Sequence, residues 1–163
     1  ILINGGGSIG TLFCLYLSRV HKLNVFVKEP NKAKLDKLVF CYGVKPYIPN
    51  VRYDIIIECS NSPEGMQEAL DMANKGGELC VMSHLYGIDT SFVYETICKK
   101  ELNVTFPLRN GEKENLNTAY HIIKDQWKPT DDCLFKIYNN IEDAFSDKAS
   151  SEYNKQIINV SAL

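Results

Sequence analysis

The 163-residue sequence lacks the features of three common classes of protein. No stretch approaches the roughly 20 consecutive apolar residues of a membrane-spanning helix, and the first residues carry no charged leader with a cleavage site. The net charge is −2, and no stripe of Lys and Arg with interleaved aromatic residues offers a surface for a phosphate backbone. These absences predict a cytoplasmic protein that has neither a membrane nor a nucleic acid as its partner.

Cysteine is present six times, but without the spacing that disulfide-rich or zinc-binding modules use. No C-x-x-C pair occurs among Cys14, Cys41, Cys59, Cys80, Cys98 and Cys133. We therefore expect most of them to be small buried hydrophobic residues. With 45% hydrophobic and 23% charged residues, the chain is long enough for one globular domain with a substantial core.

Short apolar segments alternate with helical patterns over about the first 107 residues. Six strands are predicted, at "ILIN", "NVFVKE", residues 44–48, "YDIIIECS", "ELCVMS" and "LNVTF". Pro46 and Pro49 mark the third as an edge or irregular strand, while Ser62-Pro63-Glu64 predicts the start of a helix that runs to Asn74. This alternation predicts an α/β fold, a doubly wound Rossmann sheet of six parallel strands within three layers.

Three glycines follow the first predicted strand and lead directly into the first predicted helix. Gly5, Gly7 and Gly10 form the pattern G-x-G-x-x-G, in the strand-turn-helix context that raises it above a chance match. Gly5 allows the tight turn, Gly7 lets the backbone approach a pyrophosphate, and Gly10 lets the helix pack close to the strand. Gly6 is interpreted as optional. The pattern predicts dinucleotide binding at the positive end of the helix; the alternative is a flexible strand-to-helix turn.

An acid at the end of the second strand supports the first interpretation. Glu29 lies 19 positions after Gly10, where a carboxylate can accept hydrogen bonds from the adenosine ribose hydroxyls. A 2′-phosphate beside this acid would meet a like charge, so NAD is favoured over NADP. Lys28 and Lys32 flank the acid and could soften that repulsion, or they could be ordinary surface lysines.

Five segments together extend this interpretation over essentially the whole chain: "LINGGGSIG", "VKEPNKAKL", "YDIIIECSNSPEGMQEAL", "GGELCVMSHLYG" and the closing "IYNNIEDAFSDKASSEYNKQIINV". In this order they resemble the cofactor-binding domain of the medium-chain dehydrogenase/reductase family, and in particular its zinc-type alcohol and polyol dehydrogenases. We expect a dinucleotide-binding Rossmann domain at residues 1–110. A C-terminal segment of helices and strands at residues 111–163 is expected to pack on it.

The resemblance implies a set of cofactor-binding positions. The pyrophosphate would contact Gly7, Ser8 and Ile9 in the glycine turn, and the adenosine ribose would contact Glu29 and Lys34. Cys59 and Ser60 lie at the carboxyl end of the fourth strand, where ligands bind in open α/β folds. The strand ends Ser83-His84-Leu85 and Phe106-Pro107-Leu108 resemble the segments that hold the nicotinamide ring and its carboxamide. Arg109 follows, at a position where polyol dehydrogenases often carry an arginine that faces cofactor or substrate. Cys59 also fits a plain buried strand residue. His84 could relay a proton, but we interpret it as a hydrogen-bonding neighbour of the site rather than a catalytic residue.

The resemblance places the catalytic machinery outside these residues. In zinc-type members a cysteine, a histidine and a glutamate of an N-terminal barrel domain hold the catalytic zinc. The missing initial methionine adds to the expectation that the chain is a fragment of a longer enzyme and is inactive alone, with no metal site and no catalytic residue of its own. Residues after about Gly111 would then either fold back as a cap or leave an apolar patch open.

The implied reaction of the full enzyme is reversible hydride transfer between a secondary alcohol and a nicotinamide. Arg109 and the polar "SHLYG" loop favour a diol, a sugar alcohol or a sugar phosphate as substrate. Two alternatives stay open, a zinc-independent quinone or enone reductase of the same family and a non-catalytic module that senses the dinucleotide. The sixth strand is expected to form a sheet edge and to pair with its twin in a homodimer through residues 100–106.

Overall fold

Six parallel strands organise the first two thirds of the chain. The computed structural model describes residues 1–84, 90–107, 113–128, 135–147 and 155–158. The strands are β1 Leu2–Asn4, β2 Phe26–Lys28, β3 Lys45–Pro46, β4 Tyr53–Glu58, β5 Ala73–Val81 and β6 Asn103–Thr105. They pair in parallel in the order β3-β2-β1-β4-β5-β6. The order reverses between β1 and β4, so the predicted doubly wound Rossmann sheet is confirmed, with β3 and β6 at its edges.

Helices cover both faces of this sheet. They are α1 Ser8–Leu15, which continues as a π-helical turn at Tyr16–Val20, α2 Lys32–Tyr42, α3 Pro63–Met72 and α4 Thr90–Lys100. Because side chains alternate along a strand, neighbouring residues of β1 enter different cores. Leu2 packs in a cluster with Met66 of α3, while Ile3 packs in a second cluster with Leu15 of α1 and Leu38 of α2. The result is the predicted three-layer arrangement.

The α3 helix begins as the sequence predicts but ends earlier. The Ser62 hydroxyl caps it by accepting the N–H of Gly65 at 2.9 Å, and Pro63 occupies its first turn. The helix ends at Met72 rather than Asn74, because Ala73 is extended and already pairs with Tyr53 of β4. The predicted strand start at Glu78 is therefore also wrong. The Gly76-Gly77 pair lies inside β5, at a shift of the β4–β5 register.

The C-terminal residues form a helix and a separate small sheet. Their elements are α5 Lys113–Gln126, β7 Phe135–Tyr138, α6 Ile141–Ser146 and β8 Lys155–Ile158, and β7 pairs with β8 in parallel. Ile122 and Trp127 pack against the core beneath α1 and α2, whereas Leu116 and Tyr120 of α5 are 63% and 62% exposed. The end of α5 thus packs against the sheet domain, while other apolar side chains of the helix face solvent.

A buried arginine fastens α5 to the sheet domain. Arg19, in the π-helical turn, donates to the backbone oxygen of Cys41 at 2.5 Å and to that of Gln126 at 2.8 Å. Its guanidinium lies 4.7 Å from the ring centre of Tyr42. Because these carbonyls lie at the ends of α2 and α5, the cation stabilises both helix termini.

The cysteines differ from expectation. Cys14 and Cys41 are buried, but Cys59 and Cys80 are only partly so and Cys98 is exposed on α4. The prediction that most are buried is wrong for the described part of the chain. Cys59 and Cys80 lie near the ends of strands, and Cys98 lies on the side of α4 that faces solvent. Cys133 lies outside the described residues. No helix within the described ranges is long and apolar enough to cross a membrane.

Candidate functional site

The turn between β1 and α1 depends on residues that have no side chain. Gly5 has φ of +103°, and its N–H donates to the backbone oxygen of Lys28 at 2.9 Å. A Cβ at Gly5 would lie 2.7 Å from the backbone nitrogen of Ser60, at the end of β4. Both the dihedral angle and the close approach of β4 therefore require glycine at this position.

Gly10 and Gly7 lack a side chain for different reasons. A Cβ at Gly10 would lie 1.9 Å from the backbone oxygen of Gly5, so the helix can pack this close to the turn only without one. A Cβ at Gly7 would meet no atom within 4 Å. Nothing in the described protein requires glycine there. The open space lies at the amino end of α1, where a bound group could approach the backbone.

The amino end of α1 is suited to an anion. Gly7 is the N-cap residue and has no side chain with which to cap the helix, and the first turn contains no acidic residue. The first N–H groups of a helix lack partners within the helix, and they lie at the positive end of its dipole. Ser8 and Ile9 are the first two residues of this helix, and Ile9 is 46% exposed.

Glu29 holds the glycine turn from the end of β2. Its Oε2 accepts the N–H of Gly6 at 2.9 Å, and its Oε1 accepts the N–H of Asn31 at 2.9 Å. A Cβ at Gly6 would lie 2.7 Å from Cδ1 of Leu38 and 3.0 Å from Oε2 of Glu29. A side chain at Gly6 would therefore have to displace the ends of the Leu38 and Glu29 side chains, and the interpretation of Gly6 as optional stays a prediction. Each carboxylate oxygen keeps a lone pair for a further donor.

The lysines near Glu29 have other partners. Lys28, next in sequence, forms an ion pair with Glu68 of α3. Lys32 lies 2.7 Å from Asp36, one turn further along α2. Lys34 is half-buried in the first turn of α2, and its backbone N–H donates to the Asn31 side chain at 3.2 Å.

A second cluster lies where β4 and β5 end. Glu58 is completely buried and is the last residue of β4. Its Oε1 accepts the backbone N–H of Ser60 at 2.8 Å and the Ser60 hydroxyl, and its Oε2 accepts the Ser83 hydroxyl. The N–H of His84 donates to the Asn61 side chain at 3.1 Å. Sequence reasoning named Ser60, Ser83 and His84 but missed Glu58, although a charged residue that closes an apolar strand is a usable signal.

Cys59 is unsuited to nucleophilic or metal chemistry. Burial raises the pKa of its thiol, and the neighbouring carboxylate of Glu58 raises it further. Only the thiolate is a good nucleophile or metal ligand, so the neutral thiol behaves as a strand residue. Within the described ranges, no group of three or more His, Cys, Asp or Glu side chains could hold a metal ion.

The predicted residues that the structure describes all lie at the carboxyl edge of the sheet. The glycine turn follows β1, Glu29 follows β2, Cys59 and Ser60 follow β4, Ser83 and His84 follow β5, and Phe106 follows β6. Phe106 is 65% exposed. Leu85, Leu108 and Arg109 lie outside the described residues. In open parallel sheets this edge, at the point where the strand order reverses, is where ligands bind.

A cavity of about 440 Å³ lies beside this edge, between α1 and α5. It is lined mainly by apolar side chains, including Ile9, Leu12, Phe13, Met82 and Ile122. Two negatively charged phosphates would lose their hydration there and would meet few polar side chains. The polar groups at the strand ends are therefore better suited to an anion than this cavity is.

A parallel sheet with a glycine turn at its switch point defines an α/β protein of the Rossmann class. The fold is shared with solved dehydrogenases. An alcohol dehydrogenase of Escherichia coli in complex with NADH is 21% identical with a TM-score of 0.67, and the match covers 83% of this chain and 43% of that one. Galactitol-1-phosphate dehydrogenase of Escherichia coli is 18% identical with a TM-score of 0.68, and the match covers 83% of this chain and 45% of that one. Glucose dehydrogenase of Haloferax mediterranei, solved with NADP, Zn and gluconolactone, is 15% identical with a TM-score of 0.71, and the match covers 99% of this chain and 51% of that one.

The chain spans about half the length of these solved structures. No protein-family model matches the sequence, and no curated protein matches it either. At these identities the likeness establishes the fold. The resemblance to alcohol and polyol dehydrogenases that the sequence motifs indicate is thus confirmed at the level of the fold.

Proposed function

We propose that this chain binds a nicotinamide adenine dinucleotide across the carboxyl edge of its sheet, as the cofactor-binding part of an alcohol or polyol dehydrogenase. The observation that carries the proposal is the contrast between Gly7 and Gly10. Gly10 is required by packing within the protein, whereas the empty space beside Gly7 has no such explanation. A pyrophosphate that approaches the backbone would explain why position 7 carries no side chain.

In this proposal the glycine turn and α1 hold the pyrophosphate. The N–H groups of Ser8 and Ile9 would donate to phosphate oxygens, supported by the helix dipole. Glu29 would accept from the ribose hydroxyls with the lone pairs left by its two backbone donors. These two bonds also fix the carboxylate before the ligand arrives, which reduces the ordering cost of binding.

We further propose that the cofactor is NAD rather than NADP. A 2′-phosphate beside Glu29 would meet a like charge. Lys28 and Lys32 could offset that repulsion only by leaving Glu68 and Asp36. Because the solved neighbours include complexes with NADH and with NADP, the preference rests on this chain's own residues.

The ends of β4, β5 and β6 would receive the nicotinamide. When bound, the dinucleotide supplies the hydride acceptor for oxidation of an alcohol carbon. The chain's own residues orient the ring through Ser60, Ser83 and His84, and Phe106 would cover it from β6. Catalytic zinc and its ligands would lie in another part of the enzyme, as would most of the pocket for a diol, sugar alcohol or sugar phosphate.

The exposed edge of the sheet supports a proposal about assembly. Asn103–Thr105 form β6, which among the described strands pairs with β5 alone, and an unpaired edge is a template for a second strand. We propose a homodimer through residues 100–106. Sedimentation should show a dimer at micromolar concentration, and a monomer throughout would contradict this assembly.

The binding proposal is tested by filling the space at Gly7. In Gly7→Leu the side chain would occupy the phosphate position, so NADH affinity should fall by roughly 100-fold or more while the thermal midpoint stays unchanged. Gly43→Asn is the matched control, because Gly43 also has open space around it but lies before β3, at the amino ends of the strands and away from the proposed site. Undiminished NADH binding by Gly7→Leu would show that the turn is purely structural.

A further inference from the structure

A buried carboxylate joins the two strand ends on the nicotinamide side of the proposed site. Glu58 is 0% exposed, yet a carboxylate withdrawn from water needs donors to replace its hydration. Three donors converge on it, the N–H and hydroxyl of Ser60 and the hydroxyl of Ser83. The position of this one side chain therefore sets the positions of both serines.

Backbone contacts reinforce the same connection. The N–H of Met82 donates to the backbone oxygen of Glu58 at 2.9 Å, and the N–H of His84 donates to the Asn61 side chain at 3.1 Å. Asn61 has φ of +56°, a left-handed conformation that asparagine tolerates better than most residues. The segment after β4 and the segment after β5 are thus held together at three points.

The hydrogen bonds to Glu58 also determine what the serines can offer a ligand. A hydroxyl has one proton and two lone pairs. Ser83 uses its proton on Glu58, so its oxygen faces a ligand as an acceptor. Ser60 also uses its proton on Glu58 and accepts the N–H of Ser62 at 3.2 Å, which leaves it one lone pair. Both serines are half-buried above the fully buried Glu58.

We infer that Glu58 is a positioning residue for the nicotinamide half of the dinucleotide, holding Ser60 and Ser83 as acceptors for the N–H₂ group of the carboxamide. The inference rests on the proposed dinucleotide binding and deepens it. It assigns the affinity for the two halves of the ligand to separate side-chain groups. Glu29 and the glycine turn hold the adenosine diphosphate half, and Glu58 acts on the other half through the two serines.

Two ligands distinguish this role from a general contribution to folding. ADP-ribose contains the adenosine, the pyrophosphate and a second ribose but no nicotinamide, so only NADH reports on the carboxamide. Ser83→Ala and Glu58→Gln should each weaken NADH binding by up to roughly tenfold, as expected for the loss of about one hydrogen bond between the carboxamide and a serine oxygen. ADP-ribose affinity should change by less than about twofold. Ser83→Thr keeps the hydroxyl and should retain NADH affinity.

Tyr53→Phe is the matched control. It removes a buried hydroxyl that accepts the N–H of Ile48 at 3.0 Å, at the opposite end of β4, so it should alter neither affinity. Equal losses for NADH and ADP-ribose in Ser83→Ala would overturn the inference, as would unchanged NADH binding. If Glu58→Gln fails to fold, the Ser83 pair decides alone. Failure of the unsubstituted chain to bind either ligand would instead overturn the proposed function.

Discussion

The β1–β2 side of the carboxyl edge is built with glycines and leaves open space beside Gly7, whereas the β4–β5 side carries hydroxyl side chains at its strand ends. On the first side, Gly5 and Gly10 let the turn pack closely against its neighbours, and the backbone at Gly7 is open. Ser60 and Ser83 stand on the second. Each side has one carboxylate at a strand end. Glu29 is half-exposed and can meet a ligand itself, while Glu58 is fully buried and can act only through its serines.

The two sides therefore offer a ligand different things. Backbone N–H groups bind any phosphate, so in the proposed complex it is Glu29 that would distinguish a ribose with a free 2′-hydroxyl from one that carries a phosphate. The serine side contains no exposed charge among its described residues at the strand ends, and it can orient a neutral group by hydrogen bonds. A chain that binds the two halves of one ligand separately should respond to substitutions on one side at a time.

The largest expected effect separates packing from binding within the glycine side. Gly10→Ala places a Cβ 1.9 Å from the backbone oxygen of Gly5 and should lower the free energy of unfolding by about 3 kcal/mol. Gly7→Ala meets no protein atom within 4 Å and should change it by less than about 0.5 kcal/mol. Urea denaturation of both variants measures the difference. Equal destabilisation would mean that both glycines serve packing alone.

The next effect compares the two carboxylates. Glu29→Gln removes the charge that repels a 2′-phosphate and should reduce the preference for NADH over NADPH by roughly tenfold. Glu58→Gln should leave that ratio unchanged, because Glu58 lies on the other side of the edge. Competition titrations give the ratio directly. A change of the ratio in Glu58→Gln would contradict the division of the site into two halves.

Lysine variants serve as the control for the cofactor preference. Lys28→Met and Lys32→Met remove cations that are already paired with Glu68 and Asp36. The ratio of NADH to NADPH affinity should therefore stay within about twofold of the unsubstituted chain. A strong shift toward NADH would show that these lysines had attracted the 2′-phosphate.

The smallest effect concerns a thiol beside the buried carboxylate. Burial and then Glu58 raise the pKa of Cys59, and burial raises the pKa of Cys14 to about 12. At pH 8 iodoacetamide should therefore modify the exposed Cys98 first. Glu58→Gln removes the second-largest cause of the raised pKa of Cys59, so this thiol should react a few-fold faster in that variant. Mass spectrometry of the peptides would show the change. No change would mean that burial alone protects the thiol.

The two sides of the edge also differ in how far sequence reasoning reaches. The glycine turn, Glu29 and the presence of six strands follow local patterns, because turns, caps and apolar periodicity depend on near neighbours. The role of Glu58 depends on its contact with Ser83, which follows β5 and lies 25 residues away in sequence. The early end of α3 has the same origin, because Ala73 pairs with Tyr53 of the neighbouring strand. The close approach of Leu38 to Gly6 also comes from the packing of α2, which the local pattern of glycines does not reveal.

Binding of a nicotinamide dinucleotide at the carboxyl edge, with a preference for NADH set by Glu29, can be measured by isothermal titration of the unsubstituted chain with NADH and then with NADPH. We expect saturable binding of one NADH per chain and an affinity for NADPH that is lower by at least roughly tenfold. Absence of NADH binding, or an NADPH affinity equal to or above that of NADH, would disprove this proposal.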